Sequence, residues 1–521
     1  MTFQDGPHTL GRWPADRARL HPDRVAVVDR GVELTYAELE RRARTLARAF
    51  ARAGYARGDR VATLVGNSAD HVVAFFACAR AGLVLVPLSW RLTSAELADQ
   101  LVLADPAVLL VEEETATLAR TALARTGETV PVPTAYLGED GAERALPAPR
   151  HGSQGAPALP AGPVADDDPV LMVFTSGSSA RPKAAVLSHA SCYWTNLSLS
   201  RTLELDESDV VLSVMPQFHV GGWNVQPLLA WWTGATVVLE RGFDPGRVLR
   251  LVEERRVTTM MGVPTHYARL ADHPRFGMAD FISLRSAVVG GAPMPAPLLR
   301  IFHARGVALT QGYGLTEAGP NVLCVPPREA LDRVGWAGVP YPHVDVRLAD
   351  PVTGEEVAGA GSGELLVRGP GMFTGYFRDP EATAAVWRDG WLATGDVAVR
   401  DASGYLRIVD RLRNIFISGG ENVAPAEVEA VLQTHPAVED VVVVGVPDER
   451  WGERGVALVV RRAGTVTDET ELIEHCRERL APFKVPSSVH LVTALPYLSV
   501  GKVAREQALR AALAAEELET R

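Results

Sequence analysis

Lysine is almost missing from this chain. Of its 52 basic side chains only three are lysine, at Lys183, Lys484 and Lys502. The other arginines follow most simply from a coding bias, but an ammonium is a compact, strongly hydrated charge that a planar guanidinium does not imitate. Each surviving lysine is therefore a position where that chemistry is worth tracing. Cysteine is also scarce. Cys78, Cys192, Cys324 and Cys476 are far apart and make no C-x-x-C pair, which argues against a disulfide framework or a zinc site and fits a reducing, cytoplasmic compartment. Basic charge is in deficit, 52 against 63 acidic residues for a net charge of −11, so a nucleic-acid-binding surface is not expected. No apolar run is long enough to span a bilayer. The most apolar stretch, Val72 to Leu88, is interrupted by Arg80, Gly82 and Pro87 and reads as a buried helix followed by a strand. The opening MTFQDGPHTL has neither the basic nor the apolar region of a signal peptide.

What remains is the composition of a folded globular protein, 47% hydrophobic and 22% charged. A length of 521 residues predicts two to four domains at roughly 150 residues each. Thr35 with Glu38 forms a capping-box pattern that opens a helix running to about Ala53. The strand VATLV at 61–65 follows, then a second helix, the strand LVLVPL, a third helix from Thr93 and the strand AVLLV. This alternation predicts an α/β fold with a mainly parallel sheet. Leu146 to Pro169, rich in Pro, Gly, Ala and Ser, reads as a loop or linker. Alternation resumes from Val170 to about Val325. Glycine-rich strand patterns between Val334 and Val409 predict a β-rich subdomain, and helix–strand alternation returns in the last hundred residues, with helices at PAEVEAVLQTH and from about Asp468. The main boundary is placed near Asp410 to Arg413.

The densest chemical signal is LMVFTSGSSARPKAAV. A strand runs into Thr175, Ser176, Gly177, Ser178 and Ser179, followed by Pro182 and Lys183. Consecutive hydroxyl and glycine positions offer donors suited to phosphate oxygens, and Lys183 adds a charge. The spacing is not that of a P-loop, and alone the segment also reads as a flexible surface loop. In GYGLTE (312–317), Tyr313 supplies an aromatic face, Thr316 a hydroxyl and Glu317 a carboxylate suited to Mg²⁺. In TGD, Asp396 follows Gly395, where a carboxylate suits ribose hydroxyls. Singly these read as structural turns; in this order they form a nucleotide-binding pattern.

The sequence resembles the adenylate-forming superfamily of acyl-CoA synthetases, adenylation domains and luciferases, along nearly its whole length. The family's Ser/Thr/Gly loop matches Thr175 to Ala184. Its aromatic motif matches PQFHVGG (216–222), its GGAP Gly290 to Pro293, and its Y-G-x-T-E Tyr313 to Glu317. Gly363 to Tyr376, Thr394 to Asp396, Asp410 to Glu429, and Gly501, Lys502 and Arg505 match the later motifs. The resemblance implies a large N-terminal domain (1–410) of two βα sheets plus a β-barrel-like subdomain, a hinge (411–413) at Arg413, and a small mobile α+β C-terminal domain (414–521). It implies an ATP-, Mg²⁺- and coenzyme A-dependent reaction. A carboxylate attacks the α-phosphate of ATP to give acyl-AMP, and after rotation of the small domain a thiol takes the acyl group.

Carried over by position, Thr175, Ser176, Gly177, Ser178, Ser179 and Lys183 handle the β- and γ-phosphates. Gly291, Ala292, Pro293, Tyr313 and Gly314 bound the adenine, and Asp396 and Arg411 the ribose. Thr316 faces the α-phosphate, Glu317 the metal, and His219 stands between acyl pocket and phosphate; as a lone histidine it also reads as a packed side chain. Lys502 supplies the charge that lets two anions approach. Ser418, Gly419 and Gly420 match a pantetheine tunnel. Trp451 and Phe483 match coenzyme A contacts or, equally, domain packing, while Lys484 reads as a coenzyme A phosphate ligand or a solvated charge. Ala180 and Ala184 stand where the family has glycine, Arg413 where it has Lys or Asp, and Asn414 where it has an acid. A left-handed backbone at 180 would cost alanine roughly 1–2 kcal/mol, which keeps open a weakly active nucleotide or acyl binder. Gln217 to Asn224 contain no carboxylate to hold an α-ammonium. Val220, Gly221, Gly222 and Trp223 instead suggest an apolar pocket for a hydrophobic acid, long-chain or bulky and cyclic. Coenzyme A is the expected acceptor; an acyl carrier protein and a second copy of the chain stay open as partners.

Overall fold

The computed structural model describes residues 5–127, 132–150, 162–175, 182–418, 421–448, 451–480, 482–497 and 503–519. They form two compact units. One comprises Met1–Val346 and Val367–Leu392, the other Arg347–Leu366 and Ala393–Arg521. The residues expected as a hinge, 411–413, fall within the second unit.

The first unit holds two sheets. One has nine strands, in the order Val339–Pro340, Leu323–Cys324, Ala308–Tyr313, Ser286–Val289, Thr259–Gly262, Val210–Ser213, Thr236–Leu239, Val25–Asp29 and Val32–Thr35. The six strands from Ala308–Tyr313 to Val25–Asp29 run parallel. The other sheet has seven strands, Gly375–Tyr376, Lys183–Ser188, Pro169–Thr175, Val84–Pro87, Arg60–Leu64, Val108–Val111 and Thr134–Tyr136. Its central strands Arg60–Leu64, Val84–Pro87 and Val108–Val111 are buried throughout, as parallel strands covered on both faces are. The helix expected after Thr35 spans Tyr36–Ala53. Its capping box is complete: Glu38 N–H donates to Thr35 Oγ1 at 3.2 Å and Thr35 N–H to Glu38 Oε2 at 2.8 Å. Thr93 and Glu96 repeat the device for Ser94–Ala104. The apolar stretch from Val72 is a helix, Ala69–Ala81, ended by Gly82 at φ 69°, and then the strand Val84–Pro87. A helix that reverses in two residues needs the left-handed backbone that glycine adopts without strain.

The β-rich stretch is a five-stranded sheet built on Asp345–Ala349, Gly361–Arg368 and Trp391–Arg400. The unit boundaries fall within these three strands. The second unit also carries a mixed sheet, Glu421–Val423, Phe416–Ser418, Gly452–Arg461 and Val438–Asp448, with Ser488–Val492 parallel to Gly452–Arg461. Its two faces alternate between two apolar clusters. Val441, Val443, Ala457 and Val459 pack with the helices Pro425–Leu432 and Glu469–Arg477, while Val442, Val444, Val456 and Leu458 pack with Ala508 and Ala512 of the helix Arg505–Glu519. Among the described residues no helix is long and apolar enough to cross a membrane.

Candidate active site

Three motif segments leave the C-terminal ends of parallel strands in the nine-stranded sheet, the edge at which open α/β sheets bind ligands. Val210–Ser213 leads to Pro216–Gly222, Ser286–Val289 to Gly290–Pro293, and Ala308–Tyr313 to Gly314–Glu317. Side chains from neighbouring elements fix each segment. Gln311 donates its amide to Ala292 O at 3.2 Å and accepts from Met294 N–H at 3.0 Å. This holds Gly291, Ala292 and Pro293 exposed at the strand ends. Gly291 sits at φ 80°. Gly314 admits no side chain, since a Cβ there would lie 1.4 Å from Pro320 O.

Asn67 and His71 anchor the segment before His219. Asn67 donates to Met215 O at 2.9 Å and accepts from Gln217 N–H at 2.8 Å. His71 Nδ1 lies 3.1 Å from Gln217 Oε1, and burial pushes its imidazole down to about 3, so it is neutral. His219 is half-buried, its ring 4.7 Å from that of Phe218. A Cβ on Gly221 would fit at ordinary van der Waals contact, 3.8 Å from Val225 Cγ2 and 3.9 Å from Met261 Cε, whereas a Cβ on Gly222 would meet Pro216 O at 2.4 Å. The expectation for Trp223 is corrected here. It has no exposed surface, stacks on Phe75 at 4.8 Å and donates its indole N–H to Gln217 O at 2.6 Å. It braces the segment from behind and does not line a pocket.

Thr175 and Lys183 are opposite each other in an antiparallel pair. Ser176, Gly177, Ser178, Ser179 and Ala180 lie outside the described residues. Ala184 is a fully buried strand residue opposite Phe174, a position with no call for glycine. Lys183 Nζ stands 5.2 Å from the ring centroid of Tyr376, whose hydroxyl donates to Glu317 Oε1 at 2.5 Å. Thr316 and Glu317 open a short 3₁₀ turn that ends at Gly319, with Thr316 half-buried. Gly319 O accepts from Asn224 Nδ2 at 2.7 Å. Tyr376 lies in a recognised motif, but nothing in its spacing reveals this contact.

In the second unit Asp396 and Arg411 are cross-strand partners joined by an ion pair at 3.0 Å, with Asp396 buried. Thr394 Oγ1 donates to Leu365 O at 2.7 Å and accepts from Asp396 N–H at 3.1 Å, which shapes the TGD turn. Asp410, one residue before Arg411, accepts from Asn414 Nδ2 at 2.9 Å and from Ala426 N–H at 2.8 Å, fixing the start of the helix Pro425–Leu432. An acid at 414 would face that carboxylate; asparagine donates to it instead. Ser418 is buried and lies opposite Gly452, next to the exposed Trp451. Phe483 is 38% exposed. The side chain of Arg413, and Gly419, Gly420 and Lys502 entirely, lie outside the described residues.

Residues 15–377 match the model of the AMP-binding enzyme family and residues 427–502 that of the AMP-binding enzyme C-terminal domain. A feruloyl-CoA synthase of an Amycolatopsis species is 43% identical over 96% of this chain and 98% of its own. An indoleacetate–CoA ligase of Aromatoleum aromaticum is 36% identical over 95% and 97%. The ATP-bound crystal structure of MatB from Rhodopseudomonas palustris superposes with a TM-score of 0.84 at 31% identity, over 97% and 98%.

The chain belongs to the AMP-binding enzymes.

It is accordingly an adenylate-forming acid–thiol ligase of the acyl-CoA synthetase branch, with ATP, Mg²⁺ and coenzyme A as its reactants and metal. Among the described residues no three acidic, histidine or cysteine side chains gather as a metal cluster. That fits an AMP-binding enzyme, because Mg²⁺ is held by one or two carboxylates together with nucleotide phosphates and water. Glu317, with one oxygen engaged by Tyr376, suits this. Lys484 has a partner that the sequence does not reveal. Its ammonium, still partly exposed, is held at 2.7 and 2.8 Å by both carboxylate oxygens of Glu427.

Proposed function

We propose that this ligase activates a bulky aromatic or cyclic carboxylic acid and transfers it to coenzyme A. Two features support that choice: the lack of side chains at Gly221 and Gly222, just after His219, and the relatives named for feruloyl and indoleacetate substrates. The lack of any carboxylate in Gln217–Asn224 disfavours α-amino acids, whose buried ammonium would go unpaired.

The chemistry runs in two displacements. A substrate carboxylate oxygen bonds to the α-phosphorus as the bond to the bridging oxygen of the β-phosphate breaks, releasing pyrophosphate. The thiol sulfur, having lost its proton, then bonds to the acyl carbon and AMP leaves. In our reading Thr175 and Lys183 hold the β- and γ-phosphates, Thr316 the α-phosphate, and Gly291, Ala292, Pro293 and Tyr313 the adenine. Asp396 and Arg411 hold the ribose hydroxyls. Glu317 would be the protein ligand of Mg²⁺, which when bound would neutralise phosphate charge. Lys502 offsets the repulsion between the carboxylate and the phosphate. The observation that carries this reading is the convergence of Lys183 and Glu317 on one tyrosine at the ligand-binding edge of the sheets. We place the mobile domain at 414–521 and its hinge at Arg413.

A panel of aromatic, polycyclic, linear fatty and α-amino acids, assayed with ATP and Mg²⁺, tests the assignment. AMP and the coenzyme A thioester are read by mass spectrometry. Aromatic or cyclic acids are expected to exceed linear ones at least tenfold in kcat/KM, with coenzyme A preferred over a phosphopantetheinylated carrier protein. A linear acid leading the panel, or faster transfer to the carrier, overturns it.

A further inference from the structure

Lys183 and Glu317 carry opposite charges and both touch Tyr376, yet among the described residues they form no ion pair with each other. The tyrosine contacts both, by its ring and by its hydroxyl. Its ring lies under the ammonium at 5.2 Å, within the range of a cation–π contact. Its hydroxyl donates to Glu317 Oε1 at 2.5 Å, which fixes the carboxylate and directs the lone pairs of Oε2 elsewhere.

The backbone holds this tyrosine in place from both sides. Gly375 and Tyr376 pair antiparallel with Val186 and Ala185, Thr374 N–H donates to Val186 O at 2.9 Å and Phe377 N–H to Ala184 O at 2.8 Å. Tyr376 N–H donates to Thr383 Oγ1 at 2.9 Å. Gly375 sits at φ 146°, and a Cβ there would meet Thr383 Cγ2 at 2.9 Å, so the dipeptide needs its glycine. Phe373 N–H donates to Glu317 O at 2.9 Å, which locks the acid's backbone to the same segment.

We propose that Tyr376 is a positioning residue that keeps the phosphate-binding ammonium and the metal-binding carboxylate apart. A direct Lys183–Glu317 ion pair would cancel the two charges that a Mg-nucleotide must find separately. The ring accepts the cation without neutralising it, and the hydroxyl orients the acid without occupying its second oxygen. This rests on the reading of Lys183 and Glu317 given above.

The test is binding of a non-hydrolysable ATP analogue by calorimetry, with and without Mg²⁺, to the full chain. Tyr376→Phe keeps the ring and loses the hydroxyl. It is expected to raise the Mg²⁺ concentration for half-maximal tightening at least threefold while leaving Mg-free binding within twofold. Tyr376→Leu removes the spacer and is expected to weaken Mg-free binding as well, at least fivefold. Adding Tyr376→Phe to Glu317→Gln is expected to change nothing further. A Mg²⁺ titration of Tyr376→Phe that superimposes on the native one, beside a shifted Glu317→Gln, overturns the proposal alone. An unshifted Glu317→Gln overturns the metal reading beneath it. Should Tyr376→Leu fail to fold, the Tyr376→Phe titration still decides.

Discussion

Two adjacent glycines in PQFHVGG do different work. A Cβ on Gly222 would press to 2.4 Å on Pro216 O and 2.9 Å on Gln217 Cα, both backbone atoms that cannot swing aside. Gly222→Ala is therefore expected to destabilise the first unit by about 1–3 kcal/mol, as overpacking does, seen as a lower melting temperature. On Gly221 the same methyl meets nothing closer than 3.8 Å. Gly221→Ala should melt like the native protein yet lose kcat/KM selectively for the bulkiest acids; equal losses for all acids would contradict a pocket there. Lys484→Ala removes an ammonium already claimed by Glu427, so the KM for coenzyme A should change less than threefold. At this scale the motif residues were legible because their chemistry is distinctive. Gln311, Asn67 and His71 were not, since they act through contacts with segments 19, 148 and 146 positions away that no local pattern encodes. Trp223 misled because an aromatic beside a glycine pair reads equally well as a pocket wall or as core.

The helix Arg505–Glu519 is tied to the sheet through Glu516. Burial alone would raise its carboxyl, but hydrogen bonds from Ser488, Arg454 and His490 outweigh that and hold it down to about 2. An acid depressed in the folded state contributes stability above its unfolded value near 4.5 and loses it as pH falls toward about 2. The melting difference between native protein and Glu516→Gln should be greatest near neutral pH and shrink through that acid window. A difference that persists unchanged below it would assign the effect to packing. Elements with strong local signals were legible. The capping box at Thr35 and the helix starts at Thr93 and Asp468 sit where the sequence puts them. The final helix was not, because its core-facing residues include small alanines, Ala508 and Ala512, and leave little apolar stripe to detect. Strand order was equally hidden, because pairing such as Gly375–Tyr376 with Lys183–Ser188 joins segments separated by most of the chain.

Across the whole molecule the two described lysines differ in their partners. Lys183 stands over the ring of Tyr376, whose hydroxyl donates to Glu317, and Lys484 is an ion-pair partner of Glu427. Lys502 rests on its motif, G-K…R, whose Arg505 donates to Val443 O at 2.7 Å and pairs with the half-buried Glu429. The two-step account depends on that lysine for the first displacement and not for the second. The most direct test is therefore the pair of half-reactions in Lys502→Ala, with an aromatic acid that the native protein accepts. Substrate-dependent ATP–pyrophosphate exchange is expected to fall by roughly 10²–10³-fold, the scale set by losing one preorganised charge-stabilising group. Thioester formation from supplied acyl-AMP and coenzyme A should stay within a few-fold of native. Exchange at the native rate in Lys502→Ala would contradict the mechanism.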